Sequence, residues 1–134
     1  MGLIIDTNVF VQWERTGHAI DFSRWNEYGD AAISVITASE LLVGVNRADT
    51  EARRQRRSAF VEAILAQLPI VDFTTDVARV HAELFATLAT QGQMIGAHDL
   101  IIAATAKRYD SAVLTDNIAD FRRVPDLKVV ELSA

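Results

Sequence analysis

Five short apolar runs are the feature that most narrows what this chain can fold into. They are continuous rather than alternating, and each has the length of a strand. Such runs are typical of strands that are buried on both faces. The runs occupy residues 3–5, 31–35, 69–72, 112–114 and 128–132. They predict a parallel sheet of four to five strands.

Stretches with helical periodicity separate these runs. The longest cover residues 49–68, 76–90 and 97–109, with Pro69 and Gly92 placed as stops. Strands that alternate with helices indicate the α/β class with right-handed crossovers. We therefore expect a central parallel sheet with helices on both faces.

Length and composition favour one domain over residues 1–134. The chain has no internal repeat and no linker rich in Gly, Pro or Ser. It contains no cysteine, which excludes disulfides and thiolate metal sites. No apolar segment approaches the ~20 residues of a membrane span, and no signal peptide is recognisable. We expect a cytoplasmic protein without a membrane partner.

The formal net charge of −5, from 18 acidic and 13 basic residues, argues at first against a nucleic-acid partner. That objection depends on where the acids lie. If four of them line one metal site, bound cations offset their charge and the remainder is −1. The acidic total therefore does not exclude RNA or DNA as a substrate.

Four carboxylates fall where the predicted strands end. Asp6 ends the first strand and Asp116 follows the fourth, while Glu40 lies one short turn beyond the second. Asp99 opens the helix predicted over residues 97–109. Because ligands bind at the carboxyl ends of parallel strands, we expect these four acids at one edge of the sheet.

Each acid also has a purely structural interpretation. Asp6 is suited to cap the helix that follows it, and Asp116 to form a turn. Thr37 and Glu40 match a capping box, and the helix dipole favours Asp99 in a first turn. Taken together, however, four crowded carboxylates repel one another, and a bound cation would hold them close.

The residue types indicate which cation. All candidate ligands are oxygen donors, which favours Mg²⁺ or Mn²⁺ over zinc, and their scatter along the chain argues against a calcium loop. A carboxylate-held Mg²⁺ site usually acts on phosphates and needs no histidine. His18 and His81 have no acidic motif around them, and His98 precedes Asp99 on a helix, where adjacent residues face different ways.

Four motifs in order resemble a known family. IIDTN (4–8), TASELLVG (37–44), HDLIIAATA (98–106) and LTDNIADF (114–121) are similar to the motifs of PIN-domain ribonucleases, in particular the VapC toxins of toxin–antitoxin pairs. The resemblance implies a three-layer α/β/α fold and a Mg²⁺- or Mn²⁺-dependent endoribonuclease that cuts structured RNA, often transfer or ribosomal RNA. It also implies a homodimer and a cognate VapB-type antitoxin.

The resemblance assigns roles to the four acids. It implies that Asp6 and Asp99 are the most direct metal ligands, with Glu40 and Asp116 completing the pocket, partly through water. We favour Asp116 because it directly follows the strand, and Asp120 is then left to cap or brace the turn. Three polar residues are suited either to hydrogen bonds with phosphate or with the carboxylates, or to ordinary capping: Thr7, Asn8 and Thr115.

Two surfaces carry open alternatives. Four arginines lie on the helix predicted over residues 49–68, three of them on one face, where they either hold RNA phosphates or form a solvated face balanced by nearby acids. They are Arg53, Arg54, Arg56 and Arg57, near Asp49, Glu51 and Glu62.

Five of the ten aromatic residues lie between Phe10 and Tyr28, and Trp13, Phe22 and Trp25 are among them. This cluster either packs in the core or forms part of an antitoxin-binding surface.

Two other functions remain as alternatives. An aspartyl-phosphate phosphatase would use Asp6 as nucleophile, but that chemistry normally wants a second acid two residues later, where this chain has Asn8. A non-catalytic RNA- or protein-binding module on the same scaffold would have no need of all four acids.

Overall fold

The computed structural model describes residues 1–133 as a five-stranded sheet with helices on both faces. The strands are β1 (Leu3–Ile5), β2 (Ala31–Ser34), β3 (Ile70–Val71), β4 (Ala112–Thr115) and β5 (Val129–Glu131). The helices are α1 (Thr7–Thr16), α2 (Val35–Asn46), α3 (Glu51–Gln67), α4 (Thr75–Thr90), α5 (Ala97–Arg108) and α6 (Ile118–Phe121), with a 3₁₀ segment at Phe22–Tyr28. The predicted strands and long helices are confirmed to within two residues at each end. No helix of the described residues is long and apolar enough to cross a membrane.

All neighbouring strands are parallel, in the order β3-β2-β1-β4-β5. The chain runs outward from β1 through β2 to β3, and then crosses back to place β4 on the other side of β1. The strand order therefore reverses between β1 and β4. In open parallel sheets such a reversal leaves a crevice at the carboxyl ends of the two strands, which is where ligands bind.

The sheet separates two hydrophobic cores. Leu3 and Ile5 of β1 pack with the buried residues of α1, α2 and α3, Phe10 among them. Ile4 between them packs into the other core with residues of α4, α5 and α6, such as Leu100. Because both faces of β1 are buried, its three residues are all apolar. The three-layer α/β/α prediction is thus confirmed.

Helix α2 begins earlier than the sequence suggested. Ser34 is its N-cap, and the Ser34 side chain accepts a hydrogen bond of 3.1 Å from the backbone amide of Ile36. Thr37 and Glu40 therefore lie inside the helix, and their interpretation as a capping box is wrong. The strand passes into the helix without a loop, so the nearest serine takes the cap. The carboxylate of Glu40 is left available for other partners.

Candidate active site

Asp6 directly follows β1 and occupies the N-cap position of α1, but its side chain makes no capping hydrogen bond. The residue is only 3% exposed. Its Oδ2 atom instead accepts a hydrogen bond of 2.7 Å from the Thr115 hydroxyl at the end of β4. The carboxylate is thus fixed across the crevice between β1 and β4, and the capping interpretation is wrong.

The surroundings of Asp6 disfavour its charge. Burial is the largest cause, and it raises the pKa of Asp6 from 3.8 to about 6, with further increases from the charges of Asp99 and Glu40. The Thr115 hydroxyl and the backbone amide of Thr7 act in the opposite direction by bonding to the carboxylate. A buried acid with charged acidic neighbours is an unfavourable arrangement unless a cation is bound.

A pair of hydroxyls positions Glu40. The Thr7 hydroxyl lies 2.7 Å from Glu40 Oε1, and the hydroxyls of Thr7 and Thr37 are 3.0 Å apart. Because the Thr7 hydroxyl has a single proton, it donates to the carboxylate and accepts from Thr37. The start of α1 thereby orients an acid on α2. Of the roles that the sequence left open for Thr7 and Thr115, the structure shows hydrogen bonds to the carboxylates of Glu40 and Asp6.

His98 lies beside the other oxygen of Glu40, with 3.3 Å between Nδ1 and Oε2. The sequence predicted no such contact, because His98 and Asp99 point in different directions on α5. It arises because α2 and α5 lie close together at this edge of the sheet. No local signal in the sequence could have identified it.

Asp99 lies in the first turn of α5, as expected. Burial is the main cause that raises its pKa, followed by the charges of Glu40 and Asp120. The side-chain amide of Asn117 donates to Asp99 Oδ2 at 3.3 Å and to Asp120 Oδ2 at 3.1 Å. Asn117 therefore bridges two carboxylates, a role that the sequence did not assign to it.

The structure distinguishes the two aspartates that follow β4. Asp116 is exposed, and its backbone amide donates to the side-chain oxygen of Asn8 at 3.3 Å. Among the described residues, the Asp116 carboxylate forms no hydrogen bond. Asp120 lies in the first turn of α6, which directs it back toward Asp99 through Asn117. We therefore place Asp120 ahead of Asp116 as the fourth acid, contrary to the order that the sequence favoured.

The donor set suits a hard divalent cation. The side chains are all carboxylates. Burial, followed by the charges of neighbouring acids, raises the pKa of Asp6 and Asp99, and bound positive charge would favour their ionised forms. Within residues 1–133, no group of three or more acidic or histidine side chains is close enough to coordinate one ion together. Mg²⁺ characteristically retains several waters, so these residues fit a partly hydrated Mg²⁺ or Mn²⁺.

The chain is similar to proteins of known family. The family profile for the PIN domain matches residues 3–127. The chain is 37% identical to ribonuclease VapC1 of Rickettsia felis, over all of this chain and 98% of that protein. It is 32% identical to the tRNA(fMet)-specific endonuclease VapC of Salmonella typhimurium, over 72% of this chain and 71% of the other. The crystal structure of VapBC-5 from Mycobacterium tuberculosis, a member of the VapBC family of toxin–antitoxin systems, has a similar chain, with TM-score 0.77, 28% identity and coverage of 97% and 96%.

Proposed function

This chain belongs to the PIN domain family, and we propose that it is a Mg²⁺- or Mn²⁺-dependent endoribonuclease that acts as the toxin of a toxin–antitoxin pair. The observation that carries this proposal is the convergence of Asp6, Glu40, Asp99 and Asp120 at the crevice between β1 and β4. The relatives named ribonuclease and endonuclease support the reaction type.

The chain's own residues hold the acids ready for the reaction. When bound, the cation supplies a Lewis acid for a phosphoryl oxygen and lowers the pKa of water. Thr115 and Thr7 orient Asp6 and Glu40 through their hydroxyls, and Asn117 keeps Asp99 and Asp120 together. These hydrogen bonds fix the carboxylates before substrate arrives, so less ordering remains to be done during the reaction.

The aspartyl-phosphate alternative lacks a general acid where that chemistry needs one. The residue two positions after Asp6 is Asn8, whose side-chain oxygen is bonded to the backbone amide of Asp116. A non-catalytic module has no use for two carboxyls with raised pKa values at Asp6 and Asp99. A nuclease accounts for both features.

The proposed substrate is structured RNA such as transfer or ribosomal RNA, and the proposed inhibitor is a VapB-type antitoxin. One relative is named for a transfer RNA, and the solved relatives include VapBC systems. We also propose a homodimer that works in the cytoplasm. Light scattering would measure the mass of the free protein, and a monomer at all concentrations would contradict the dimer.

RNA cleavage by the purified protein tests the proposed function. Cleavage of transfer and ribosomal RNA should require Mg²⁺ or Mn²⁺ and stop with EDTA. Asp6→Asn and Asp99→Asn should abolish cleavage while circular dichroism stays unchanged. Equal cleavage by the wild type and both variants would mean a contaminating nuclease and would remove the basis for the assignment.

Expression in cells identifies the target. Brief induction should create new RNA 5′ ends in the wild type that Asp6→Asn does not create. Co-expression of a small protein encoded next to the toxin should suppress these ends, as expected for an antitoxin. If growth and the 5′ ends are the same with wild type and Asp6→Asn, the toxin role is wrong.

A further inference from the structure

A groove leads from the candidate acids across the layer of α1, α2 and α3. Thr7 and Glu40, which belong to the site, line it together with Glu14 and Arg57 around a cavity of about 190 Å³. The rest of its lining is mostly apolar, with Val11 53% exposed to solvent. The groove therefore connects the carboxylates to the side of α3.

Arginines continue this groove beyond Arg57. A second depression is lined by Glu14, Arg53, Arg56 and Arg57, and a third includes Arg47, Arg53 and Arg57. Because Arg57 borders all three, the depressions adjoin one another between Glu40 and the start of α3. We call these four arginines, Arg47, Arg53, Arg56 and Arg57, the arginine track.

The arginine track concentrates positive charge on an acidic protein. Residues 47–57 contain five arginines and two acids, a net charge of +3. The whole chain carries −5, so the other residues together carry −8. A polyanion that approaches the carboxylates meets favourable potential on this side of the site.

The track arginines are available to a ligand to different degrees. Arg53 pairs with Asp49 at 2.8 Å, but both side chains are more than half exposed, and such pairs exchange readily. Within the described residues, Arg47 and Arg56 form no ion pair. Arg57 is fixed between three helices, because it donates to Glu14 at 2.9 Å and to the Gly44 carbonyl at 3.0 Å.

We infer that the arginine track binds phosphates of the RNA strand that passes through the carboxylate site, and this rests on the proposed function. A strand with one phosphate at Glu40 and Asp6 must place its neighbouring phosphates nearby, where the four acids repel them unless cations are within reach. The track supplies those cations along a groove that begins at Glu40. The apolar lining, including Val11 and Phe60, offers a contact surface to a base.

The salt dependence of binding and cleavage tests the inference. The double variant Arg53→Gln, Arg56→Gln should raise KM about tenfold, at about threefold per arginine, and leave kcat within twofold. The slope of log affinity against log salt should fall by about 0.7 for each phosphate that the variant no longer neutralises. Arg79→Gln, an exposed arginine on α4 in the opposite layer, is the matched control and should change neither quantity.

The positive charge of the track arginines, and not the length of their side chains, should account for RNA binding. Arg53→Lys, Arg56→Lys should therefore restore most of the affinity. Arg57 stays unchanged in these variants, because its removal would also break the hydrogen bonds to Glu14 and Gly44.

Binding measured in the Asp6→Asn background separates this inference from the proposed function. Fluorescence anisotropy with a labelled transfer RNA needs no cleavage, so it reports on the track even if no RNA is cut. Unchanged affinity and salt slope in the double glutamine variant would overturn the inference. So would unchanged RNA binding combined with weaker binding of a synthetic acidic peptide, which would assign the track to a protein partner.

Discussion

Asp6 carries its charge where the fold disfavours it. It is 3% exposed, and burial, with the charges of Asp99 and Glu40, raises its pKa to about 6. One pKa unit corresponds to about 1.4 kcal/mol, so ionising Asp6 in the metal-free fold costs about 3 kcal/mol. Ionised Asp6 therefore lowers the stability of the metal-free fold, and we expect its role to be cation binding.

The pH dependence of stability should reveal this cost. The folded chain binds the Asp6 proton more tightly than the unfolded chain, so this contribution is fully present below pH 3.8 and is lost as the pH rises through about 6. Asp6→Asn removes the loss. In EDTA, urea denaturation should find the variant about 2 kcal/mol more stable than wild type at pH 7.5 and equal to it near pH 4. A variant less stable at pH 7.5 would contradict the prediction.

The Thr115 hydroxyl should matter for catalysis more than for folding. Thr115→Val keeps the shape but removes the 2.7 Å hydrogen bond to Asp6 and the 2.8 Å hydrogen bond that the hydroxyl accepts from the backbone amide of Asn117. We expect kcat to fall about tenfold, which corresponds to a loss of about 1.4 kcal/mol. Thr105→Val is the matched control. Thr105 is equally buried, and its hydroxyl bonds to the Ile101 carbonyl within α5. Single-turnover rates should be normal for Thr105→Val, and equal losses in the two variants would indicate a general packing effect.

At the scale of elements, the order of the strands assembles the site. Asp6 follows β1 and Thr115 ends β4, and these two strands are neighbours although 109 residues separate the bonded side chains. Helices α2, α5 and α6 start at the same edge and contribute Glu40, Asp99 and Asp120. The site therefore requires the close pairing of β1 with both of its neighbours.

A substitution at Gly29 tests the pairing of β1 with β2 at the ends of these strands that lie away from the site. Gly29 has φ +110°, and a Cβ atom there would lie 2.9 Å from the Cα of Gly2, the residue immediately before β1. We expect Gly29→Ala to lower the free energy of unfolding by about 3 kcal/mol or more, from backbone strain and overlap. Gly17→Ala is the control, because φ is +73° but no atom lies within 4 Å, and strain alone should cost about 1 kcal/mol. Urea midpoints would compare the two, and equal losses would exclude the overlap.

At the scale of the whole molecule, acidic and basic residues lie in different regions of the surface. The acids that approach one another at the crevice repel, while residues 47–57 carry net positive charge beside it. The net charge of −5 is therefore a poor guide to what the protein binds. Because the acids come together only in the folded chain, a cation that binds them stabilises the whole fold.

Metal addition should therefore raise the melting temperature. A cation at ten times its Kd stabilises the fold by about 1.4 kcal/mol, which shifts Tm by about 4 °C for a chain of this size. Differential scanning fluorimetry with Mn²⁺ should show the shift in wild type and in Asp116→Asn. Asp6→Asn and Asp120→Asn should lose most of it. A shift lost in Asp116→Asn and kept in Asp120→Asn would restore the assignment that the sequence favoured.

The sequence by itself determined the elements and identified three of the acids that we place at the site, Asp6, Glu40 and Asp99. Strand-length apolar runs, helical periodicity and stops are local properties, so the sheet, its burial on both faces and the positions of Asp6 and Asp99 followed from them. The positions of Glu40 and Asp116 relative to their strands were equally visible. Their partners were not.

Only the tertiary structure decided which polar groups meet. Our preference for Asp120 over Asp116 rests on the turn of α6. The contact of His98 with Glu40 depends on the packing of α2 beside α5, and Asn117 acts as a bridge only because both aspartates lie within its reach. A hydrogen bond needs atoms within about 3 Å, and residues far apart in the chain reach that distance only when the sheet order and helix packing bring them together. Local sequence patterns do not predict the sheet order or the helix packing.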